Sequence, residues 1–219
     1  RPTQWFDIAI VPDMDKYYLG KPKNVITTKG VLSKYSDSEI KPKTGLIIIG
    51  GKSRHYHFRK KVVKQQIEWL INEMFNDYQW KITTSPRSPN LDIPKHSGNA
   101  EFFDWKDTEE DWLSEEIKQS EVTFLTPESV SVLYEGLSTN TKVYVFHHEH
   151  HSADQYGSEK KTKVTKNIDK LKLQGQIGYI DSKRYMLSRA IKSADLIHPK
   201  VSEPLCETKR VVKELMEIL

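Results

Sequence analysis

The sequence predicts an α/β protein built on a doubly wound parallel sheet, and three observations predict it. Leu46-Ile47-Ile48-Ile49 is an unbroken apolar run, the mark of a strand buried on both faces of a parallel sheet. It stops at Gly50-Gly51, and beyond a short loop Val63, Ile67, Leu70, Ile71 and Met74 recur at helical spacing, giving a helix from about 58 to 76. Trp80-Lys81-Ile82-Thr83-Thr84 then reads as a strand, so that strand, glycine turn, helix and strand follow one another as in a βαβ unit.

The remaining elements follow in order. Phe6 to Val11 reads as a strand ended by Pro12, and Val25-Ile26-Thr27-Thr28 as a second β-branched run ended by Gly30. Residues 33 to 44 are polar, carry Pro42 and read as a linker, with a domain boundary within it. The stretch from Ser85 to Phe103 holds three prolines and suggests no regular element. Thr108-Glu109-Glu110-Asp111 has the form of a capping box opening a helix to about Gln119, with Trp112, Leu113 and Ile117 on its inner face. Val122 to Leu125 is the next strand, Pro127 suits a helical first turn, and that helix runs to about Ser138. Val143 to Phe146 closes another unit, residues 152 to 166 are polar, and a last helix covers Pro204 to Ile218.

A length of 219 residues allows one sizeable domain, or a domain with a fragment of another, and excludes two full α/β domains of ordinary size. The net charge of +4 comes from basic and acidic residues that interleave, which argues against a nucleic-acid-binding surface. Hydrophobic residues at 37% and aromatics at 10% supply a core. Cys206 is the single cysteine, which rules out an internal disulfide or a cysteine-rich zinc site and fits a reducing compartment. No apolar run approaches the ~18 residues of a transmembrane helix, and no signal-type segment opens the chain, so a cytoplasmic protein is expected. The chain opens on Arg1-Pro2-Thr3-Gln4 without an initiator Met, which reads as a piece of a longer protein.

Two segments suit phosphate chemistry. Gly50-Gly51-Lys52-Ser53-Arg54 lies between a buried strand and a helix, where free N–H groups and the helix dipole attract anions and glycine lets a ligand come close. A tight turn needing two small residues explains the pair equally, since the spacing is neither that of a Walker loop nor a full dinucleotide fingerprint. Thr126-Pro127-Glu128-Ser129-Val130-Ser131 again follows a strand, with Ser129 and Ser131 at a helix N-terminus and Glu135 one turn beyond, able to accept from sugar hydroxyls; simple capping by Ser129 and a solvated Glu135 is the alternative. Asp13-Met14-Asp15 has the form of an Asp-x-Asp metal clamp but reads as a turn. His147-His148-Glu149-His150-His151 could offer metal ligands, yet adjacent residues on an extended chain point to opposite sides, so an exposed polar loop is expected and no metal site is assigned.

Taken together, Phe6 to Asp15, Asn24 to Gly30, Gly50-Gly51, Thr84-Ser85-Pro86-Arg87-Ser88-Pro89 and Glu128-Ser129-Val130-Ser131 through Glu135 resemble the mitochondrial-fission ELM-type family, whose bacterial members are regarded as glycosyltransferases. The match runs from residue 6 to about 146 and resumes at Glu203 through Val212. The resemblance implies a GT-B arrangement, with residues 1–43 the remnant and linker of an N-terminal domain and 44–219 a Rossmann-like domain that holds a nucleoside-diphosphate sugar. It implies that Gly50, Gly51, Lys52 and Ser53 border the diphosphate together with Ser129 and Ser131, that Glu135 takes the ribose, and that Ser85 and Arg87 occupy a family-typical Ser-Arg-x-Thr-Pro position from which Pro86 and Ser88 depart. Asp15 matches a Pro-Glu-His-Asp segment whose His is Met14 here. No cofactor, metal or nucleic acid is implied, the acceptor is left open, and catalysis by this chain alone is doubtful because GT-B chemistry needs both walls of the cleft.

Two classes of function therefore stand at this stage: the donor-binding half of a GT-B-like glycosyltransferase, and a non-catalytic scaffold of the same family acting through protein partners, with peripheral association at a membrane surface as one setting. A metal-dependent enzyme using Asp13, Asp15 or the histidine run is a third. The strands near residues 8 and 26 are expected to pair by joining the main sheet or by homodimerisation.

Overall fold

A computed structural model describes residues 6–18, 24–33, 39–151, 161–181, 190–201 and 203–218. Its strands, in chain order, are β1 (Ala9–Pro12), β2 (Val25–Thr28), β3 (Lys41–Ile49), β4 (Tyr56–His57), β5 (Gln79–Thr84), β6 (His96–Ser97), β7 (Ala100–Phe103), β8 (Ser120–Leu125), β9 (Lys142–Val145), β10 (Glu149–His150), β11 (Gly178–Ile180) and β12 (Leu196–Ile197). The helices are α1 (Lys60–Trp69), α2 (Trp112–Gln119), α3 (Val130–Leu137), α4 (Lys163–Leu173) and α5 (Glu207–Ile218).

Eight strands form one sheet in the order β12-β11-β9-β8-β3-β5-β7-β6. From β11 to β7 all neighbours are parallel, and only the two-residue edge strands β12 and β6 run antiparallel. The chain winds outward from β3 through β5 to β7, returns to lay β8 against the other side of β3, and winds outward again through β9 to β11. This is the doubly wound order of a Rossmann-type sheet, and its direction reverses between β3 and β8.

The apolar run explains why β3 sits at the centre. Ile47 and Ile49 join the core under α1 with Val63, Ile67 and Phe124, while Leu46 and Ile48 join the opposite core with Ile117, Leu133 and Ile168 of α2, α3 and α4. Both faces of the strand are thus dry, as the sequence requires. α1 continues into a π-type turn over Leu70–Met74, matching the expected span to 76 closely.

Several expectations are corrected. β3 starts at Lys41, inside the expected linker; the register shifts between Lys41 and Gly45, and this bulge takes both Pro42, which has no N–H to donate, and Lys43 at φ 55°. Residues 34–38 of that linker, and 152–160 of the polar segment, lie outside the described residues. Thr108 is no N-cap: its hydroxyl donates to the Trp105 carbonyl at 3.0 Å, and α2 opens three residues later behind Asp111. α4 adds a helix to those expected; its buried apolar positions, Val164, Ile168 and Leu171, stand among four lysines, and its fourth, Leu173, is exposed.

β1 and β2 pair with each other in a parallel two-stranded ribbon and do not join the main sheet. α5 fastens it to the body. The Glu207 carboxylate, buried at 8% exposure, accepts from the Lys29 N–H at 2.8 Å and from Arg210 at 2.7 Å, and the same guanidinium donates to the Thr27 carbonyl at 2.7 Å. Among the described residues no helix is long and apolar enough to cross a membrane.

Candidate functional site

In a doubly wound sheet the loops at the carboxyl ends of the strands flanking the reversal diverge and leave a crevice. Here those loops are the ones following β3 and β8, joined by the loop after β5. Gly50 sits at the meeting point. Its N–H donates to the Thr126 hydroxyl at 2.7 Å, and that hydroxyl donates to Glu128 Oε1 at 2.8 Å. A Cβ on Gly50 would lie 2.0 Å from Glu128 Oε1, 2.7 Å from Thr126 Oγ1 and 2.8 Å from Ser129 Oγ; one on Gly51 would lie 1.9 Å from the Arg87 carbonyl oxygen. Neither glycine has positive φ, so the pair is there for close approach and not for an unusual turn.

The structure thus brings Gly50, Gly51, Ser129 and the Ser85–Ser88 loop together. Ser88 Oγ donates to the Ile49 carbonyl at 2.5 Å and accepts from the Ser85 N–H at 2.8 Å, while Ser85 Oγ lies 3.1 Å from it and accepts from the Arg87 N–H at 3.4 Å. Lys52, Arg54 and Arg87 are exposed around the rim. Ser53 closes a local turn, accepting from the N–H groups of His55 and Tyr56 at 3.1 and 3.2 Å. Ser131 is exposed on the first turn of α3. Glu135 stands apart: it accepts from Ser114 of α2 at 2.6 Å, and no described hydrogen bond links it to the three loops.

The histidine run is not the expected exposed loop. The Gln66 side-chain amide clamps the His147 backbone from both sides, accepting from its N–H at 2.7 Å and donating to its carbonyl at 3.1 Å. β10 then pairs antiparallel with β4, Glu149 against His57 and His150 against Tyr56, and Arg59 ties Glu149 at 2.6 Å. This two-stranded flap packs His148 against Phe58 and Tyr56. Burial lowers the His147 and His148 imidazoles to about 4, so both are neutral at pH 7. Burial, then the charges of Arg54, Lys163 and His151, also lower His55.

Sequence reasoning missed the groups buried where these loops meet. Glu128 is 8% exposed, and burial pushes its carboxyl up from the usual range against the opposing pull of its own backbone, Thr126, the Gly51 N–H and Arg87. Burial likewise raises the Tyr56 hydroxyl. Among the described residues the buried side-chain polar atoms without a partner are His55 Nδ1, Tyr56 Oη, Glu128 Oε2, both ring nitrogens of His148, and Asn167 Nδ2. All but the last follow β3, β8 or β9 at their carboxyl ends. The only sequence signal was position, since Thr126-Pro127-Glu128 ends a buried strand.

Asp13 and Asp15 pair with lysines of α4, Asp13 with Lys170 and Asp15 with Lys163 at 2.6 Å. Among the described residues no group of three or more His, Cys, Asp or Glu is arranged to hold a metal ion.

Comparison with known proteins gives one family. The profile of mitochondrial fission ELM1 matches residues 1–219. No curated protein matches. Among solved structures, the FMN-dependent cysteine decarboxylase TvaF from thioviridamide biosynthesis aligns over 70% of this chain and 99% of its own at 12% identity and a TM-score of 0.41, a likeness too slight to bear on ligand or mechanism.

Proposed function

The chain belongs to the mitochondrial fission ELM1 family, and from that premise we propose that the crevice between the carboxyl ends of β3 and β8 binds a nucleoside-diphosphate sugar, as the donor-binding half of a GT-B-like glycosyltransferase. The observation that carries this reading is the set of unpartnered buried polar atoms on Tyr56 and Glu128, in the loops where the strand order reverses, and on His148, whose ring packs edge-on to Tyr56. Buried polar groups are costly without partners, and their concentration in a crevice of this kind fits a hydroxyl-rich ligand.

The geometry also apportions the ligand. The Gly50 N–H is already donated to Thr126, and the Glu128 carboxyl packs against the Gly50 Cα, so a phosphate set on that amide meets a carboxylate. In this reading Gly50 and Gly51 make room, Glu128 and Tyr56 hydrogen-bond sugar or ribose hydroxyls, and the diphosphate lies outward toward Lys52, Arg54 and Arg87, with Ser53, Ser85, Ser129 and Ser131 along its border. Glu135 reaches the ribose only by giving up Ser114.

Calorimetry of the intact chain against UDP-, GDP-, ADP- and CMP-sugars tests it. Binding by one nucleotide class that Glu128→Gln weakens at least tenfold is expected; no heat at millimolar ligand sinks the reading. A second reading, a scaffold acting through protein partners, is supported by α5, whose Val212, Met216 and Ile218 are 53%, 75% and 59% exposed. Cellular function that survives Glu128→Gln but is lost with Met216→Glu would favour it.

A further inference from the structure

α4 opens on a capped turn: the Thr162 hydroxyl accepts from the Thr165 N–H at 3.3 Å, and the Thr165 hydroxyl donates to the Thr162 carbonyl at 3.0 Å. Lys163, Lys166 and Lys170 stand at i, i+3 and i+7, one side of the helix over roughly 10 Å of its axis. With Lys161, Asn167 and Asp13 they line a cavity of about 510 Å³. Asn167 is 4% exposed; its Oδ1 accepts from the Tyr134 hydroxyl at 2.9 Å, and its Nδ2 is buried without a partner.

The counter-charges come from the Asp13–Tyr18 turn and from Asp169 of α4 itself. Asp13 and Asp15 hold Lys170 and Lys163, while Asp169 holds Lys161 at 2.8 Å. The Asp13 and Asp15 pairs are part-exposed, with side-chain exposures of 24 to 49%, and such pairs contribute little, about 0–1 kcal/mol each. They are exchangeable. A row of ammonium groups this long outreaches a single carboxylate, and a buried amide donor beside it suits an oxygen that only accepts. Phosphoryl oxygens meet both demands.

We propose that the groove between α4 and the Asp13–Tyr18 turn binds the diphosphate group of a soluble ester, held by Lys163, Lys166, Lys170 and the Asn167 amide in competition with Asp13 and Asp15. The proposal needs only a phosphoryl group and stands apart from the reading of the β3–β8 crevice, whatever that crevice binds.

Sodium pyrophosphate, titrated into the intact chain at low ionic strength, tests it without any nucleotide. Wild type is expected to bind, Lys163→Gln/Lys170→Gln to bind at least tenfold more weakly, and Asn167→Leu several-fold more weakly; Lys166→Gln, an exposed change that leaves folding alone, gives a second reading should Asn167→Leu fail to fold. Asp13→Asn/Asp15→Asn is expected to tighten binding several-fold, whereas Asp77→Asn, a single change of charge beside Lys43 and away from the groove, leaves it alone. No heat at millimolar pyrophosphate, equal affinity in the double lysine variant, or equal tightening by Asp77→Asn overturns the proposal. Lysine-dependent capture by anionic phospholipid vesicles without pyrophosphate binding overturns the soluble ester in favour of a lipid headgroup.

Discussion

The backbone N–H of Gly50 donates to the Thr126 hydroxyl at 2.7 Å across the point where the sheet reverses its strand order, and Glu128 closes the same contact from the far side. A methyl group has no place there: the carboxyl oxygen lies 2.0 Å from where it would stand. Gly50→Ala is therefore expected to cost about 1–3 kcal/mol by overpacking, read as a lower urea midpoint at unchanged slope. Combining it with Glu128→Ala removes the closest of the three clashes, so the double variant should be less destabilised than the sum of the singles. Additive losses would refute the contact.

Glu128 also sets a pH dependence. Its folded carboxyl titrates above the ordinary value of 4.5, chiefly through burial, so between those two values the folded chain binds more protons than the unfolded one. Stability from this group is present at low pH and is lost as pH rises through that window. Glu128→Gln keeps the shape and removes the charge. The variant should match or exceed the wild type in stability at pH 7, and its advantage should shrink as pH falls toward 4, measured by chemical denaturation at a series of pH values.

Periodicity gave the architecture where burial is local. Leu46 to Ile49 could be buried on both sides only at the centre of a parallel sheet, and Val63 to Met74 could only pack from one face. α4 is as one-sided as the helices the periodicity reveals, but its buried apolar positions, Val164, Ile168 and Leu171, are interrupted by four lysines and complete their face with the polar Thr165 and Asn167, the latter paired to Tyr134. The glycine pair was legible as a close approach, but what approaches was not. Glu128 lies 78 residues from Gly50, and the burial of Tyr56 and His148 depends on β4 meeting β10, a pairing that no short-range pattern announces.

His148 offers the opposite slope. Burial lowers it to about 4, so the unfolded chain takes up a proton near pH 6.5 that the folded chain refuses. Stability is lost as pH falls from 6.5 to 4, by about 3 kcal/mol at full extent. Neither ring nitrogen makes a well-aligned hydrogen bond, the Phe146 and His147 backbones only weakly opposing the effect of burial, and the ring packs on Phe58 and Tyr56, so His148→Phe should fold, and its stability should fall less than the wild type's over that range. His147, lowered in the same way, leaves part of the slope in place. Identical slopes in variant and wild type would show that His148 is charged when folded.

Glu207 carries the attachment of the β1–β2 ribbon. Burial alone would push its carboxyl up, but Arg210 and the Lys29 N–H outweigh it and hold it below the usual carboxylate range. Since its folded value is depressed, the contribution is present above the unfolded value and is lost as pH falls through the folded one. Glu207→Gln retains hydrogen bonding without charge, whereas Glu207→Ala leaves Arg210 with Thr27 and Glu214 alone and the Lys29 N–H without its acceptor. A loss of about 1–3 kcal/mol is expected for the alanine variant, but its place matters more than its size. The ribbon's contacts with the body run through α5, through Gly30, whose Cα abuts the Tyr134 ring, and through the Asp13–Tyr18 turn, whose aspartates pair with Lys163 and Lys170 of α4. Amide exchange should therefore speed up in Val25–Thr28 while β3 and β8 keep their protection, and uniform loss across the chain would mean that ribbon and sheet open as one unit.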